Sequence, residues 1–248
     1  MDNSIMSARP KKTSGRVLRM GGRADLEILK NALGPLHGNA YQSYSHQILD
    51  VLRDAIICAR LPPGTSLSEI AIANVLSVSR TPVREALNQL AQENFVRIYP
   101  QAATVILPVD VNFMRECRFI RQALECANIQ GVAQEISVND QRKLSGIIDD
   151  QARAMASSSP REFFTHDKSM HAFLFKISGQ ELAWEKIEKI NRHSDRIRWI
   201  LGCEMEYAEN AYQDHLLIFE SIKAGDVSGA VFTMHSHIAS DYHPLVRD

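Results

Sequence analysis

The sequence has no long hydrophobic run and little net charge. None of its apolar stretches approaches the roughly 20 residues that a membrane-spanning helix needs. Residues 1–16 contain no apolar segment of the kind found in secretory signals. We therefore expect a cytoplasmic protein that does not enter a membrane. The hydrophobic fraction of 45% and the charged fraction of 23% are ordinary for globular proteins, which excludes a collagen-like or fully disordered chain.

Cysteine is scarce, and its spacing excludes two classes of protein. The four cysteines are Cys58, Cys117, Cys126 and Cys203, and no two of them form a CxxC pair. This distribution argues against a disulfide scaffold and against a zinc site built from cysteine, and it fits free thiols in a reducing compartment. The sequence also lacks an HExxH motif or a similar base-bearing motif. A metal-dependent hydrolase is therefore kept only as an alternative that we do not favour.

The charges balance almost completely, with 28 Lys and Arg against 29 Asp and Glu. Residues 1–40 carry a basic excess, residues 41–108 are neutral, and residues 109–248 are acidic and contain seven of the nine histidines. Charge alone therefore does not predict nucleic-acid binding. Residues 1–40 are rich in Gly, Ser and basic side chains, which predicts a mobile arm. Extra phosphate contacts are the alternative role for this arm, and a short helix within 24–33 is compatible with its leucines.

Between residues 41 and 108 the pattern predicts a winged helix-turn-helix. Apolar residues at three- and four-residue spacing indicate a first helix from Tyr44, which ends at Leu61-Pro62-Pro63-Gly64. A second helix follows Ser68, and a third follows Ser79 after a tight connection. Two β-like runs come next, at Phe95–Tyr99 and Thr104–Leu107. In this arrangement the first helices form a small core that presents the third helix outward, and the major groove of DNA accepts one helix.

The third helix carries the residues that can read DNA. Ser79 is expected to be its N-cap, with the hydroxyl accepting from a free backbone N–H. Arg80, Thr81 and Arg84 are expected on its exposed face. Arginine forms bidentate bonds to guanine, and threonine or serine bonds phosphate or base edges. The alternative is that the two arginines only solvate a surface helix.

The stretch Leu61-Pro-Pro-Gly-Thr-Ser-Leu-Ser-Glu69 and the stretch Val78-Ser-Arg-Thr-Pro-Val-Arg-Glu-Ala-Leu87 resemble the DNA-binding domain of GntR-family transcription regulators. This resemblance covers roughly residues 44–108. It implies a dimer on a palindromic operator, with Ser79, Arg80, Thr81 and Arg84 at the contacting positions. The chain departs from the family at Ile70, where many members have Arg, and at Ala103, where the wing usually has Gly. Because a left-handed conformation is unfavourable for Ala, the second departure predicts a reshaped wing tip.

Residues 109–248 are predicted to form an all-α antiparallel bundle. Breakers are few, no convincing strand appears, and helical periodicity marks six stretches. The six predicted helices cover residues 110–135, 139–156, 160–178, 181–201, 206–224 and 226–243. The fold class predicted for the whole chain is therefore mainly α.

Four residues of this second half have the spacing of a metal site. Asp167 and His171 lie one turn apart on one helix face. His215 and His237 flank Gly225-Asp226 at similar distances, so a helical hairpin would bring them level. Three imidazoles and a carboxylate suit Zn²⁺ or a similar divalent ion. Spacing alone also fits a helix ion pair and structural histidines, and it leaves these alternatives open.

Residues 110–248 also resemble the FCD ligand-binding domain of the FadR subfamily of GntR regulators. The supporting stretches are Arg121–Glu125, Phe164–His171 and His193–Arg198, together with the segment from His215 to His237. The resemblance implies a divalent metal, most simply Zn²⁺ with Ni²⁺ or Mn²⁺ as alternatives, and a small organic acid as effector. The implied metal ligands are Asp167, His171, His215 and His237.

Arg121 and Arg196 match positions where this family places polar groups in the effector cavity. An arginine fork pairs well with a carboxylate. Ion pairs with Glu125 or Asp195 are the alternative role for these two arginines.

These patterns predict a homodimeric, metabolite-responsive transcription regulator and not an enzyme, with repression as the common mode among relatives. Two further alternatives remain. One is a regulator that binds an acyl-CoA without metal. The other is a metal site that serves only stability, with DNA binding independent of any effector.

Overall fold

The computed structural model describes residues 23–36, 42–201 and 204–240 and is mainly α, as predicted. Within these residues it contains ten helices and three short strands. The elements are α1 (Arg23–Ala32), α2 (Tyr44–Ile57), β1 (Ser66–Leu67), α3 (Glu69–Leu76), α4 (Arg80–Gln92), β2 (Val96–Tyr99), β3 (Ala103–Ile106), α5 (Val111–Glu135), α6 (Val138–Ala156), α7 (Pro160–Ile177), α8 (Glu181–Leu201), α9 (Glu204–Ala224) and α10 (Val227–Ser240).

The chain divides into two compact units. The described residues up to Leu107, apart from Asp54–Arg60, form the first unit, and the described residues from Pro108 onward, with Asp54–Arg60, form the second. The first unit has a core of fully buried apolar side chains from its helices and from the ends of its strands. The core residues of the first unit include Leu29, Ile48, Leu49, Leu52, Ile72, Val83, Leu87, Leu90, Phe95 and Ile106.

The helix-turn-helix is formed by α3 and α4. Ser68 caps α3, with its hydroxyl accepting from the N–H of Ala71. Ser77 ends α3 in the left-handed conformation, and the N–H of Val78 bonds the carbonyl of Ala73, which makes the turn tight. Ser79 is the N-cap of α4, but its hydroxyl makes no capping hydrogen bond, so the expected side-chain bond at this position is wrong.

The wing is a three-stranded antiparallel sheet of order β1-β3-β2. Two of these strands were predicted. The third, β1, has only two residues and pairs Ser66 with Val105, which joins the entry of α3 to the wing. At the wing tip the left-handed residue is Gln101 (φ 57°), whereas Ala103 lies in β3. The conformational penalty expected at Ala103 therefore does not arise there.

The helix α1 belongs to the first unit. Leu29, Ala32 and Leu33 are buried, and α1 packs against α3. Amphipathic spacing of these apolar side chains accounts for the helix. The expectation of a mobile arm stays a prediction for residues 1–22 and 37–40, which lie outside the described residues.

The second unit consists of the six helices α5 to α10, with bounds close to those predicted. α10 packs against α5 and α9, and α6 packs against α7 and α9. Connections of a few residues join successive helices, which is typical of antiparallel neighbours. At the α9–α10 turn, Gly225 adopts a positive φ of 68°, which glycine accepts without strain. In the part of the chain that the structure describes, no helix is long and apolar enough to cross a membrane.

The thiols of Cys58, Cys117 and Cys126 are free, as their spacing predicts. Burial raises the pKa of Cys117 to about 11, so this thiol stays protonated at neutral pH. Cys203 lies outside the described residues.

Candidate metal centre and DNA-binding surface

Asp167, His171, His215 and His237 converge inside the helical unit. They come from α7, α9 and α10, and each is at most 4% exposed. One potential ligand atom from each residue can be chosen so that all four lie within 4.8 Å of one another. Nε2 of His215 lies 3.3 Å from Nε2 of His237 and 3.5 Å from Oδ1 of Asp167. Nε2 of His171 lies 4.0 Å from the same carboxylate oxygen.

Helix geometry and one turn bring these side chains together. Asp167 and His171 are four residues apart on α7, so both face the interior of the bundle. His215 and His237 lie on α9 and α10, which the turn at Gly225 folds back on each other. The hairpin predicted from the spacing is therefore present in the structure.

Each of the three histidines has an acceptor beside its Nδ1 atom. Glu125 on α5 contacts Nδ1 of His171. Oε1 of Gln151 on α6 lies 2.9 Å from Nδ1 of His215, and Oδ2 of Asp214 lies 3.3 Å from Nδ1 of His237. Acceptors at Nδ1 favour the tautomer that carries its proton there, which places the ring's lone pair on Nε2.

The orientation of the Gln151 amide is fixed by a second contact. Its Nε2 donates to the backbone carbonyl of His166 at 3.3 Å, and a carbonyl can only accept. Oε1 must therefore face His215 and accept from its Nδ1. On His171, Nη2 of Arg121 lies 3.3 Å from Nε2, and because a guanidinium only donates, Nε2 is the acceptor. The lone pairs of both histidines thus lie at Nε2, and on His171 a metal ion would have to displace the N–H of Arg121 from that lone pair.

Burial and nearby positive charge keep one imidazole of the cluster neutral. Burial lowers the pKa of His215 well below its ordinary value, and the neighbouring His237, His171, Arg121 and Arg198 lower it further. The ring is therefore neutral at pH 7, as a ligand must be. Burial alone would raise the pKa of Glu125, but the charge of Arg121 and the contact with His171 outweigh burial and hold it at about 2. Glu125 is thus a permanent anion behind one of the histidines.

This donor set fits a divalent metal ion. With bonds of about 2.0–2.2 Å, tetrahedral zinc separates its ligand atoms by about 3.4 Å. The contacts of His215 with His237 and with Asp167 are close to that separation, and the wider spacing of His171 suits a five- or six-coordinate ion. Rings of Phe163 and Trp184 stack against His215 and His171 and enclose the cluster on apolar sides.

The two arginines predicted for the effector cavity differ in their surroundings. Arg121 is buried beside the cluster, where it bonds Glu125 at 2.5 Å and the side-chain oxygen of Asn191 at 3.0 Å. The ion pair with Glu125 that stood as the alternative is therefore formed, while the same guanidinium also reaches His171. Arg196 is buried on α8, about 140° around the helix from Asn191. Burial lowers its pKa to about 10.

The expected DNA-reading side chains lie on an open face of the first unit. The side chains of Arg80 and Arg84 are 56% and 59% exposed, and Ser79 and Thr81 are exposed beside them at the start of α4. Ile70, which stands where many family members have arginine, is also exposed on the neighbouring α3.

Several residues at these sites carry no signal in the sequence. Gln151 and Asn191 are isolated polar residues on amphipathic helices, and only the packing of α6 and α8 brings them to the cluster. Asp214 precedes a predicted ligand, and this adjacency is the only signal that pointed to it. Glu69 bonds both Arg80 and Arg84, although it is separated from them by the turn of the helix-turn-helix.

Comparisons with known proteins decide the family. The family model for bacterial regulatory proteins of the gntR family matches residues 44–106, and the FCD domain model matches residues 116–240. The chain belongs to the GntR family and carries an FCD domain. This GntR protein is therefore a DNA-binding transcriptional regulator and not an enzyme, as the sequence predicted.

Relatives of this GntR regulator have been named in several bacteria. It is 31% identical over 200 residues to the HTH-type transcriptional repressor RspR of Escherichia coli (strain K12), covering 81% of this chain and 88% of the relative. It is 24% identical over 226 residues to the gluconate operon transcriptional repressor of Bacillus subtilis (strain 168), covering 88% and 91%. A putative GntR regulator from Rhodococcus sp. RHA1 shares the fold, with a TM-score of 0.69, 20% identity and coverage of 82% and 98%.

Proposed function

We propose that a small organic acid controls operator binding by this regulator through a divalent metal ion in the FCD domain. The proposed ligands are Asp167, His171, His215 and His237, and Zn²⁺ is the ion that these donors suit best, with Ni²⁺ or Mn²⁺ as alternatives. The observation that carries the proposal is that all three histidines have an acceptor beside Nδ1, while Nε2 of His171 and of His215 lie near one oxygen of Asp167 and Nε2 of His237 lies 3.3 Å from that of His215. A structural histidine also needs an acceptor at Nδ1, so the part of the arrangement that a metal ion accounts for is the set of Nε2 lone pairs beside one another and beside a carboxylate.

The ion would offer open positions to carboxylate oxygens. Arg121 supports a carboxylate effector because its guanidinium lies at the edge of the cluster, beside His171. Arg196 stays a proposed effector residue on the basis of resemblance and burial. If the effector were an acyl-CoA bound without metal, the three clustered histidines would have no role.

We further propose that Ser79, Arg80, Thr81 and Arg84 contact the operator. Their exposure at the start of α4 supports this assignment. Replacing Arg84 with Ala should weaken binding to a selected operator by about 1–3 kcal/mol, the value of a good bidentate base contact. Quantitative gel shifts would measure this effect. Unchanged affinity and base preference in both Arg84→Ala and Arg80→Ala would remove the recognition-helix assignment.

The proposed active form is a homodimer on a palindromic operator, since one winged helix buries too little surface for high specificity. The helix α5 supports self-association because it is apolar on two faces. One face packs in the bundle core, whereas Phe119, Ile120 and Leu124 are exposed on another. Neighbouring large apolar side chains that are exposed together often mark an interaction surface. We propose that a second copy of this chain covers this face.

Residues 41–108 would then read DNA, and residues 109–248 would bind metal and effector, with residues 1–40 as a basic arm. We propose repression as the mode of control because two relatives are named as repressors, and we propose the cytoplasm as the place of action. Effector binding would favour one arrangement of the dimer and so change the population that fits the operator.

The test uses full-length protein loaded with Zn²⁺ and a DNA duplex selected by that protein from a randomised library. Fluorescence anisotropy would follow operator binding against a panel of small carboxylic acids, with and without a chelator. We expect at least one acid to change the affinity severalfold, and only in the metal-loaded protein.

The matched pair of variants is His237→Ala and His235→Ala. The first removes a proposed ligand, whereas His235 is exposed on the same helix two residues earlier. We expect the acid response to be lost in the first variant and kept in the second. An equal response in chelated protein or in His237→Ala would refute metal-dependent control.

A further inference from the structure

Glu69 links the two arginines of α4 through one carboxylate. Its Oε2 accepts from Nη2 of Arg80 at 3.3 Å. Its two oxygens also accept from Nε and Nη2 of Arg84, at 3.2 Å and 3.1 Å. Arg84 is therefore held along one side of its guanidinium by two parallel bonds. Arg80 is held by one.

The bidentate contact leaves a defined edge of Arg84 facing solvent. A guanidinium has five N–H groups, and the bond to Glu69 takes the one on Nε and one on Nη2. The remaining hydrogens on Nη1 and Nη2 form the outer edge of the fork. In the major groove, guanine presents O6 and N7 as two acceptors that match such an edge. Arg84 can thus contact guanine without releasing Glu69.

Folding stability gives only a weak reason for this contact, although an acid in the first turn of α3 gains a small stabilisation from the helix dipole. The side chains of Arg84 and Glu69 are 59% and 28% exposed, and ion pairs between exposed groups contribute little to folding. A carboxylate on a DNA-facing surface also repels phosphate, which weakens binding to any sequence. A contribution of Glu69 to base discrimination would offset this loss of affinity.

We propose that Glu69 is a positioning residue that holds Arg84 with its outer edge toward a guanine of the operator. This proposal rests on the proposed role of Arg84 in DNA reading. The backbone of Glu69 is fixed because it is the first residue of α3, directly after the Ser68 cap. Hydrogen bonds from Arg84, with a smaller contribution from Arg80, outweigh partial burial and lower the pKa of Glu69, so it stays charged at physiological pH.

The Glu69→Gln variant distinguishes a positioning role from a simple ion pair, because it should raise the affinity for DNA in general and lower the discrimination between base pairs. Removing one negative charge strengthens binding to a duplex of scrambled sequence. Losing the bidentate hold lets the guanidinium of Arg84 rotate, which reduces discrimination at the base pair that it reads. A good bidentate contact discriminates by about 5- to 150-fold, and we expect that ratio to fall at least severalfold.

The experiment uses full-length protein and the duplex that it selects from a library with a randomised centre. Affinities for this duplex, for each single base-pair variant of it and for the scrambled duplex would be measured in one buffer. Glu85→Gln is the matched control because it removes one exposed charge from α4. Thermal melts would show that each variant is folded. They would also measure any small loss of stability in Glu69→Gln, which removes an acid from the first turn of α3.

Arg84→Ala identifies the base pair at which discrimination depends on Arg84. We expect Glu69→Gln to lose preference at that same base pair and Glu85→Gln to keep it. If Arg84→Ala changes no preference, the proposed DNA-reading role of Arg84 fails. If it does change a preference while Glu69→Gln behaves like Glu85→Gln, or binds all duplexes more tightly by one common factor, the positioning role of Glu69 is overturned.

Discussion

Replacing Gln151 with Leu should weaken zinc binding although Gln151 is not a proposed ligand. Gln151 is fully buried, and its Oε1 atom accepts from Nδ1 of His215 at 2.9 Å. Leucine has a similar volume but no acceptor. The substitution would leave a buried N–H without a partner and would free the ring of His215 to turn, which moves its Nε2 away from the other ligand atoms.

Two magnitudes follow from this geometry. A buried donor without a partner costs about 1–3 kcal/mol of folding stability. Loss of the group that orients a metal-ligating histidine typically costs 10- to 100-fold in metal affinity, which is about 1.4–2.7 kcal/mol. The backbone carbonyl of His166, which also loses a bond to Gln151, keeps its place in α7. We therefore expect the effect on zinc to arise through His215.

Competition with a chromophoric chelator at fixed pH would measure the zinc affinity, and denaturant unfolding of metal-free protein would measure stability. Asn128→Leu is the matched control. Asn128 is a buried amide of the same bundle, and it bonds Ser178, which lies about 10 Å along α7 from His171. Asn128→Leu should lower stability but not zinc affinity. Wild-type zinc affinity in Gln151→Leu would refute the orienting role of the amide.

Three further predictions concern pH, assembly and the DNA-binding unit. Because burial lowers the folded-state pKa of His215, metal-free protein should lose stability as pH falls below about 6.5. This group contributes at most about 1.4 kcal/mol per pH unit. In unfolding experiments, His215→Gln should make the free energy of unfolding depend less on pH. Phe119→Glu should shift the protein toward monomer in sedimentation equilibrium, whereas Leu182→Glu, at a similarly exposed apolar position, should not. If the two variants have the same mass, the exposed face of α5 is not the dimer interface. Glu93→Gln should cost about 1.5–3 kcal/mol in thermal or denaturant unfolding because it breaks a bidentate pair with the buried Arg53. An unchanged unfolding midpoint would contradict this.

The helices could be predicted from the sequence because their signals are local. The apolar period of α5 to α10 and breakers such as Pro160 and Gly225 specify where each helix begins and ends. The two-residue strand β1 has no period of its own, and it exists because Ser66 pairs with Val105 across a long stretch of chain. At the wing tip, the sequence pointed to Ala103, but the turn places its left-handed residue at Gln101.

The candidate site was predictable only in part, because some of its contacts are local and others depend on how the helices pack. Asp167 and His171 are related by one helical turn, and His215 and His237 by a hairpin, so their convergence follows from local geometry. Gln151 and Glu69 contact residues on other helices, and which residues they contact depends on which helix faces meet. Such contacts are decided by tertiary packing, and a pattern along one segment does not contain them.

The most direct test of the central claim is anomalous X-ray diffraction at the zinc edge from crystals of zinc-loaded protein. We expect one peak per chain, about 2.0–2.2 Å from Nε2 of His171, His215 and His237 and from the carboxylate of Asp167. Nδ1 of each histidine should face Glu125, Gln151 or Asp214. A cluster without a peak, or imidazoles that bind zinc through Nδ1, would rule out the proposed metal centre.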